Sequence, residues 1–415
     1  MDSRYKLSKE FFGGVIYDTQ TKKNISIDND LYSFITTLMS RKIDTIHMNN
    51  DEVMEILHQL FAIGIFSFNI DLLKNTDQEY KDHLTAPFRI FYDITYECNL
   101  RCKHCFTNSG VKRKDELSLA EKLCLISEIK KLGTNRISIA GGEPFICPDL
   151  FPFLRNCKEN DIDVSVTTNG TLFTPSIIAQ VKEYKLKNLT VSFDGGTKES
   201  MNSIRGEGAY ELVINGLKLL SEYYNDGYSI KTTLMKNNIH EIDEIIKTAI
   251  KYKCQTVKFN CVREDGRAMK NNDLTILNNK EYVDVIEYIE NIKHKYGGQI
   301  QIKAPLNVFC DDEYDYIEDL GFGCFAGKES LCINPIGDIK PCSHFPKDFI
   351  CGNIRDDSLS NIWHNSEILY RFRHLKGNDE CNNCDQYDMC RAGCRFRAYK
   401  SGDINGIDPF CYIKV

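Results

Sequence analysis

The feature that most limits this chain is Cys98-Asn-Leu-Arg-Cys102-Lys-His-Cys105, three cysteines set directly after the apolar, extended run Phe88 to Ile94. Three thiolates can hold three corners of a cubane iron-sulfur cluster and leave the fourth iron open. An open iron binds and activates a ligand, whereas a fully ligated one only passes electrons. A structural zinc knuckle and three ordinary buried thiols are the competing readings of this spacing.

The chain has 18 cysteines, and its polar start MDSRYKLSKE lacks the apolar core of a signal peptide. No run approaches the ~18 apolar residues of a membrane span, so a cytoplasmic protein with no membrane partner is expected. Disulfides do not persist in a glutathione-reduced compartment, which makes metal binding the expected use of cysteines that cluster. They cluster at 98–105 and again from Cys324 to Cys411, while Cys124, Cys147, Cys157, Cys254 and Cys261 lie scattered between, as small buried apolar residues would. The net charge of -7 argues against a nucleic-acid surface. At 415 residues, two or three domains are expected, taking about 150 residues per domain as a guide.

Residues 1 to about 82 suggest a small winged-helix-like α+β domain. Val15 to Asp18 and Asn24 to Asp28 flank the turn-rich Thr19 to Lys23 and predict a hairpin. Helical spacing marks Leu31 to Met39 and Asp51 to Ile63, with Gly64 as a stop and Ile65 to Phe68 as one more strand. The polar stretch Lys74 to His83 is the linker candidate.

From Phe88 to about Gly297 strand and helix alternate, which predicts parallel strands joined by crossovers. Strands are expected at Phe88–Ile94, Arg136–Ala140, Asp163–Thr167, Leu189–Phe193, Ser229–Leu234 and Thr256–Asn260. Ser118 and Glu121 form a capping box for a helix that stops at Gly133, and Thr174-Pro175 opens another. Six such repeats suit a partial (β/α)6 TIM-type barrel, whose chemistry sits on the loops after the strands. The three cysteines occupy the first such loop. The second carries Gly141-Gly142-Glu143-Pro144, the third Thr168-Asn169-Gly170 and the fourth Ser192-Phe193-Asp194-Gly195, with Arg205 beyond. Two glycines allow close backbone approach to a ligand, Glu143 offers an acceptor for an ammonium, and Arg205 can fork a carboxylate.

In this order, CNLRCKHC, GGEP, TNG and SFDG resemble a radical S-adenosylmethionine enzyme over residues 86–300. The resemblance implies a 4Fe-4S cluster on Cys98, Cys102 and Cys105 whose open iron takes the amino and carboxylate groups of S-adenosylmethionine. It also implies cofactor contacts from His104, Phe106, Gly141, Gly142, Glu143, Pro144, Thr168, Asn169, Ser192, Asp194 and Arg205. His104 stands where this family often has an aromatic residue. The implied chemistry is a 5'-deoxyadenosyl radical that removes hydrogen from substrate, so no catalytic triad is expected.

Residues 304–415 hold Cys324, Cys342, Cys381, Cys384, Cys390, Cys394 and Cys411, in a spacing similar to the SPASM extension of radical enzymes. The resemblance implies two auxiliary 4Fe-4S clusters, the nearer on Cys324, Cys342 and Cys394 and the farther on Cys381, Cys384, Cys390 and Cys411, hence three clusters in all. Cys332 or Cys310 stands available to close the nearer one, and either outcome fits the sequence. Residues 1–82 resemble the PqqD-like domains that bind a leader peptide as an added strand. Together these imply a maturase that forms a thioether crosslink in a ribosomally made, cysteine-containing precursor, with a low-potential donor such as flavodoxin or ferredoxin. Carbon-carbon crosslinking, sulfatase-maturase-like protein oxidation, and a non-catalytic iron-sulfur or zinc scaffold are the alternatives.

Overall fold

The computed structural model describes residues 4–39, 60, 70–72, 82–271, 276–304, 323–411 and 413. They fall into two compact units, one from the first 86 residues and one from the remainder. The expected helix Asp51–Ile63, strand Ile65–Phe68, linker Lys74–His83 and Cys310 lie outside the described residues, apart from Leu60, Asp82 and His83.

The first unit is a four-stranded sheet, β1 (Tyr5–Glu10), β2 (Gly13–Asp18), β3 (Lys23–Asp28) and β4 (Ile70–Leu72), in the order β3-β2-β1-β4. The expected hairpin is β2–β3, paired antiparallel from Gly13↔Asp28 to Asp18↔Lys23, and β1 adds a strand that the sequence reading omitted. Asp28 ends β3 and caps the helix Asn29–Met39 by accepting from Leu31 N at 2.8 Å. Alternate residues Tyr5 and Leu7 of β1 meet Ile16, Ile27, Leu31, Ile35 and Leu60 in one apolar core.

Glu10 is 3% exposed at the end of β1. It accepts from Thr85 N at 2.9 Å and from Thr85 Oγ1 at 2.8 Å, yet burial pushes its carboxyl up to about 7. An acid whose folded pKa is raised binds more protons folded than unfolded, so its contribution to stability falls as pH climbs from about 4.3 towards neutrality. Glu10→Gln is expected to remove that decline, on the order of 3 kcal/mol across the window. Thermal unfolding from pH 4 to 8 checks this, since matching slopes in both proteins would contradict it.

The second unit is one ten-stranded sheet. Parallel strands β5 (Arg89–Asp93), β6 (Arg136–Ala140), β7 (Asp163–Thr168), β8 (Asn188–Ser192), β9 (Ser229–Leu234) and β10 (Thr256–Cys261) match the six expected within a residue or two. The short strand β11 (Gln301–Lys303) follows β10 at the edge. At the other edge β12 (Ser330–Ile333) lies parallel to β5, and β13 (Asp338–Lys340) and β14 (Gly352–Asn353) continue antiparallel. The sheet thus runs uninterrupted from the barrel strands into the C-terminal cysteine region. The architecture is a mixed α/β fold with a partial barrel, in which, among the described residues, β11 pairs only with β10.

Strand alternation sorts the two faces. Ile90, Tyr92, Ile137, Ile139, Val164 and Val166 are buried. Tyr92 packs on Phe153 of the helix Leu150–Glu159 with ring centroids 5.4 Å apart, which fixes that side as the helix side. Each such side chain contributes about 1.5–3 kcal/mol on full burial. Phe91, Asp93, Ser138, Ala140, Ser165 and Thr167 therefore face the concave side, and all are half-buried. The capping box of Ser118 and Glu121, the left-handed stop at Gly133 and the Thr174 N-cap before Pro175 all form as their residues dictate.

Candidate active site

The three-cysteine loop leaves β5 and is closed at its base, where Cys98 N donates to Gly110 O at 3.1 Å and Gly110 N to Tyr96 O at 2.7 Å. Polar donors surround the sulfurs. Leu100 N lies 3.4 Å and Asn169 Nδ2 3.9 Å from Cys98 Sγ, Arg205 Nη1 4.0 Å from Cys102 Sγ, and Thr107 Oγ1 3.3 Å from Cys105 Sγ. Burial pushes Cys98 up and Cys102 up to about 11, with the Arg205 charge opposing the latter. Donors and a guanidinium gathered on three thiols suit thiolates, and so fit an anionic cluster.

The glycines of the second loop serve a neighbouring backbone. A Cβ on Gly142 would stand 2.0 Å from Glu97 O, and Gly141 adopts φ +120°. Gly142 N donates to Thr95 O at 2.7 Å and Glu143 N to Glu97 O at 2.8 Å, which stitches this loop to the base of the cysteine loop. Glu143 itself is 0% exposed. Its Oε1 accepts from Thr168 Oγ1 at 2.6 Å and Phe145 N at 3.1 Å, and its Oε2 from Asn169 N at 2.7 Å. Burial raises this carboxyl against those three donors. The side chain expected to meet an ammonium also joins the second and third loops, and Thr168 gives its hydroxyl to Glu143. Pro144 begins the 3-10 turn Pro144–Ile146.

Asn169 ties the third loop to the cysteines, with Nδ2 donating to Asn99 Oδ1 at 2.8 Å. Ser192 ends β8 half-buried, in register with Lys231 of β9. Asp194 is 0% exposed. Its Oδ2 meets Arg205 Nε at 2.7 Å, Arg205 Nη2 at 2.6 Å and His104 Nε2 at 3.2 Å, while Oδ1 accepts from Thr233 N at 2.7 Å. Burial alone would raise this carboxyl, but Arg205 and His104 hold it well below the usual range. The sequence reading placed Asp194 and His104 as cofactor contacts. In the fold they form, with Arg205, a buried ion group at the edge of the cysteine loop. Phe106 is 36% exposed and lies against His344, with centroids 4.8 Å apart.

The C-terminal cysteines sort into two groups. Cys324, Cys342 and Cys394 pack on one cluster of Ala326, Phe345, Phe372 and Phe396. Burial raises Cys324, with the neighbouring Cys394 adding to the rise, and lifts Cys342 to about 11 against Arg263. Burial raises Cys381, with the neighbouring Cys411 and Cys384 adding to the rise, and lifts Cys390 to about 11, with Cys411 and Cys381 adding to it. Between Cys390 and Cys394 the chain passes Arg391 at φ +46° and Ala392 at φ +65°, left-handed conformations that side chains seldom adopt. Asp408 pins this turn by accepting from Cys394 N at 2.7 Å and from Arg397 Nε at 2.6 Å. Cys332 sits on β12, 8% exposed and beside Cys342 in charge.

Sequence reasoning missed two parts of this region. Asp93 ends β5 on the concave face, where burial pushes its carboxyl up to about 7 against the charge of Lys340. The loop after β10, with Arg263, Asp265 and Arg267, also reaches the cysteine loop, and its only sequence signal is a charged, glycine-containing stretch at the end of a strand.

Residues 92–249 match the family model of the Radical SAM superfamily, and residues 324–385 match that of the SPASM iron-sulfur cluster-binding domain. The chain therefore carries a radical S-adenosylmethionine domain followed by a SPASM domain, and S-adenosylmethionine and iron-sulfur clusters are its cofactor classes. It is 26% identical over 345 residues to the mycofactocin maturase MftC of Mycobacterium tuberculosis, covering 80% of this chain and 85% of that one. It is 29% identical over 352 residues to an AdoMet-dependent heme synthase of Methanosarcina barkeri, covering 79% and 96%. Among solved structures, Streptococcus suis SuiB bound to its precursor peptide SuiA aligns with a TM-score of 0.76 over 98% of this chain and 97% of that one, at 17% identity. At that identity the likeness concerns the fold. No helix among the described residues is long and apolar enough to cross a membrane.

Proposed function

We propose that this chain is a maturase of a ribosomally made, cysteine-containing peptide. Cys98, Cys102 and Cys105 hold the first 4Fe-4S cluster. Arg205, Ser192, Asn169 and the Gly141–Pro144 backbone border the S-adenosylmethionine site, with Asp194 and His104 holding Arg205 in place. Cofactor and cluster together supply a carbon-centred radical that takes hydrogen from substrate. Two auxiliary clusters occupy the Cys324, Cys342, Cys394 group and the Cys381, Cys384, Cys390, Cys411 group. The carrying observation is the set of donors, Leu100 N, Asn169 Nδ2, Arg205 Nη1 and Thr107 Oγ1, gathered on the sulfurs of Cys98, Cys102 and Cys105. A thioether between a cysteine sulfur and a carbon is the favoured product, and the peptide-modifying relative MftC supports a peptide substrate. Residues 1–82 dock the leader, where β3 offers an edge strand in the order β3-β2-β1-β4.

The test is anaerobically reconstituted full-length protein with a short cysteine-rich peptide from a neighbouring reading frame. A two-hydrogen mass loss with one thiol shielded from alkylation is expected, whereas loss with every thiol still reactive favours carbon-carbon crosslinking. Removing residues 1–82 is expected to lower turnover of the full precursor about 100-fold through lost effective concentration, while uncoupled cofactor cleavage persists. Undiminished turnover would favour the protein-oxidising reading.

A second reading rests on the heme synthase relative at 29% identity, and takes a tetrapyrrole as substrate. Saturable binding of an iron porphyrin, followed at its main absorption band and accompanied by S-adenosylmethionine consumption, would favour it over the peptide.

A further inference from the structure

The loop after β10 reads Val262-Arg-Glu-Asp-Gly-Arg267 and lies against two groups of candidate cluster ligands, the three-cysteine loop and the segments that carry Cys342 and Cys394. Arg267 holds three carbonyls of the cysteine loop. Its N donates to Cys105 O at 2.9 Å, its Nε to Cys102 O at 2.8 Å and its Nη1 to Ser109 O at 2.7 Å. Gly266, at φ +54°, has no room for a side chain, since a Cβ would stand 2.3 Å from Phe106 O and 2.4 Å from Cys105 O. Asp265 Oδ2 lies 3.1 Å from His344 Nδ1. The His344 ring in turn lies 4.8 Å from that of Phe106 and 5.3 Å from that of Phe396. Phe106 follows Cys105 directly, and His344 and Phe396 stand two residues after Cys342 and Cys394.

We propose that Arg267 is a positioning residue for the three-cysteine loop, and that residues 265–267 couple that loop to the Cys342 and Cys394 segments through the Asp265–His344 contact. Residues 98–109 form neither helix nor strand, and inside the loop Cys102 O and Cys105 O accept from Cys105 N and Asn108 N at 3.3 Å, so the shorter bonds from Arg267 are the better-placed donors to both. A guanidinium is a planar fork that fixes two acceptors at a set spacing, which a lysine ammonium does not. A shift of the Cys342 segment moves His344, and Asp265 and Phe106 pass that shift to the cysteine loop from two sides.

The inference rests on the reading that both groups hold clusters, and the test separates the two. In cluster-free full-length protein, Arg267→Ala, which loses both guanidinium hydrogen bonds, is expected to speed amide hydrogen exchange across residues 98–110 about tenfold or more, with the unfolding temperature unchanged. In reduced holoenzyme the concentration of S-adenosylmethionine that half-converts the first cluster's electron paramagnetic resonance signal should rise by a similar factor, and Arg267→Lys should restore only part of it. Asp265→Asn and Cys342→Ala should each raise that midpoint, and the double variant should do no more than either alone. Additive effects would overturn the coupling, and wild-type exchange with a wild-type midpoint in Arg267→Ala would overturn the positioning role. If the wild-type signal does not respond to S-adenosylmethionine at all, the reading of the site falls instead.

Discussion

Alanine at Cys98, Cys102 and Cys105 together is expected to abolish reductive cleavage of S-adenosylmethionine, with 5'-deoxyadenosine falling below detection and leader binding unchanged. Leu100 N and Asn169 Nδ2 turn towards Cys98 Sγ, Arg205 Nη1 towards Cys102 Sγ, and Thr107 Oγ1 lies 3.3 Å from Cys105 Sγ. Methyl groups in place of the thiols offer nothing to iron, and take an acceptor from Leu100 N and Arg205 Nη1 at a cost of about 1–3 kcal/mol each, while Asn169 Nδ2 keeps its bond to Asn99 Oδ1. With the three clusters proposed above, iron content should fall by about four of about twelve atoms. The residues proposed to dock the leader lie in the other compact unit, with its own core of Tyr5, Leu7, Ile16, Ile27, Leu31, Ile35 and Leu60. Deoxyadenosine from the triple variant would remove the cysteines from the cofactor site. Its absence from the wild type as well would return the chain to the scaffold reading.

The strands and their order were legible because alternation and helical periodicity are local. β9 (Ser229–Leu234) and the Ser118 capping box are written in a few consecutive residues each. The cysteine groups were legible because their spacing is itself the signal. What escaped depends on contacts remote in sequence. Arg267 meets Cys102 across 165 positions, and β12 joins β5 only after the whole barrel has been traversed. Neither leaves a periodic trace. The residues of GGEP and SFDG were picked out, but their burial could not be. Glu143 turned inward because Thr168, Asn169 and Phe145 all present donors to it, and Asp194 did so because Arg205 and His104 flank it from other elements.

Removing the Asp194 carboxylate is expected to have the largest effect of any single change on stability. Asp194 and Arg205 are 0% and 5% exposed, and deleting one partner of a buried pair leaves the other charge uncompensated, at about 3–5 kcal/mol. Asp194→Ala should lose that much in denaturant unfolding, and Asp194→Asn less, because an amide still accepts from Thr233 N. The pH dependence has a definite sign. The native carboxyl is held below its unfolded pKa of about 3.9, so its stabilisation is complete above that pH and drains away as acid reaches the folded value. Both variants should therefore lack the part of the acid-side decline that the wild type owes to this group. Asp194→Ala combined with Arg205→Ala should cost less than the sum of the two, since the pair is then removed whole. An additive double variant would mean that the two residues act independently, and Arg205 would then need some other support to stand 4.0 Å from Cys102 Sγ.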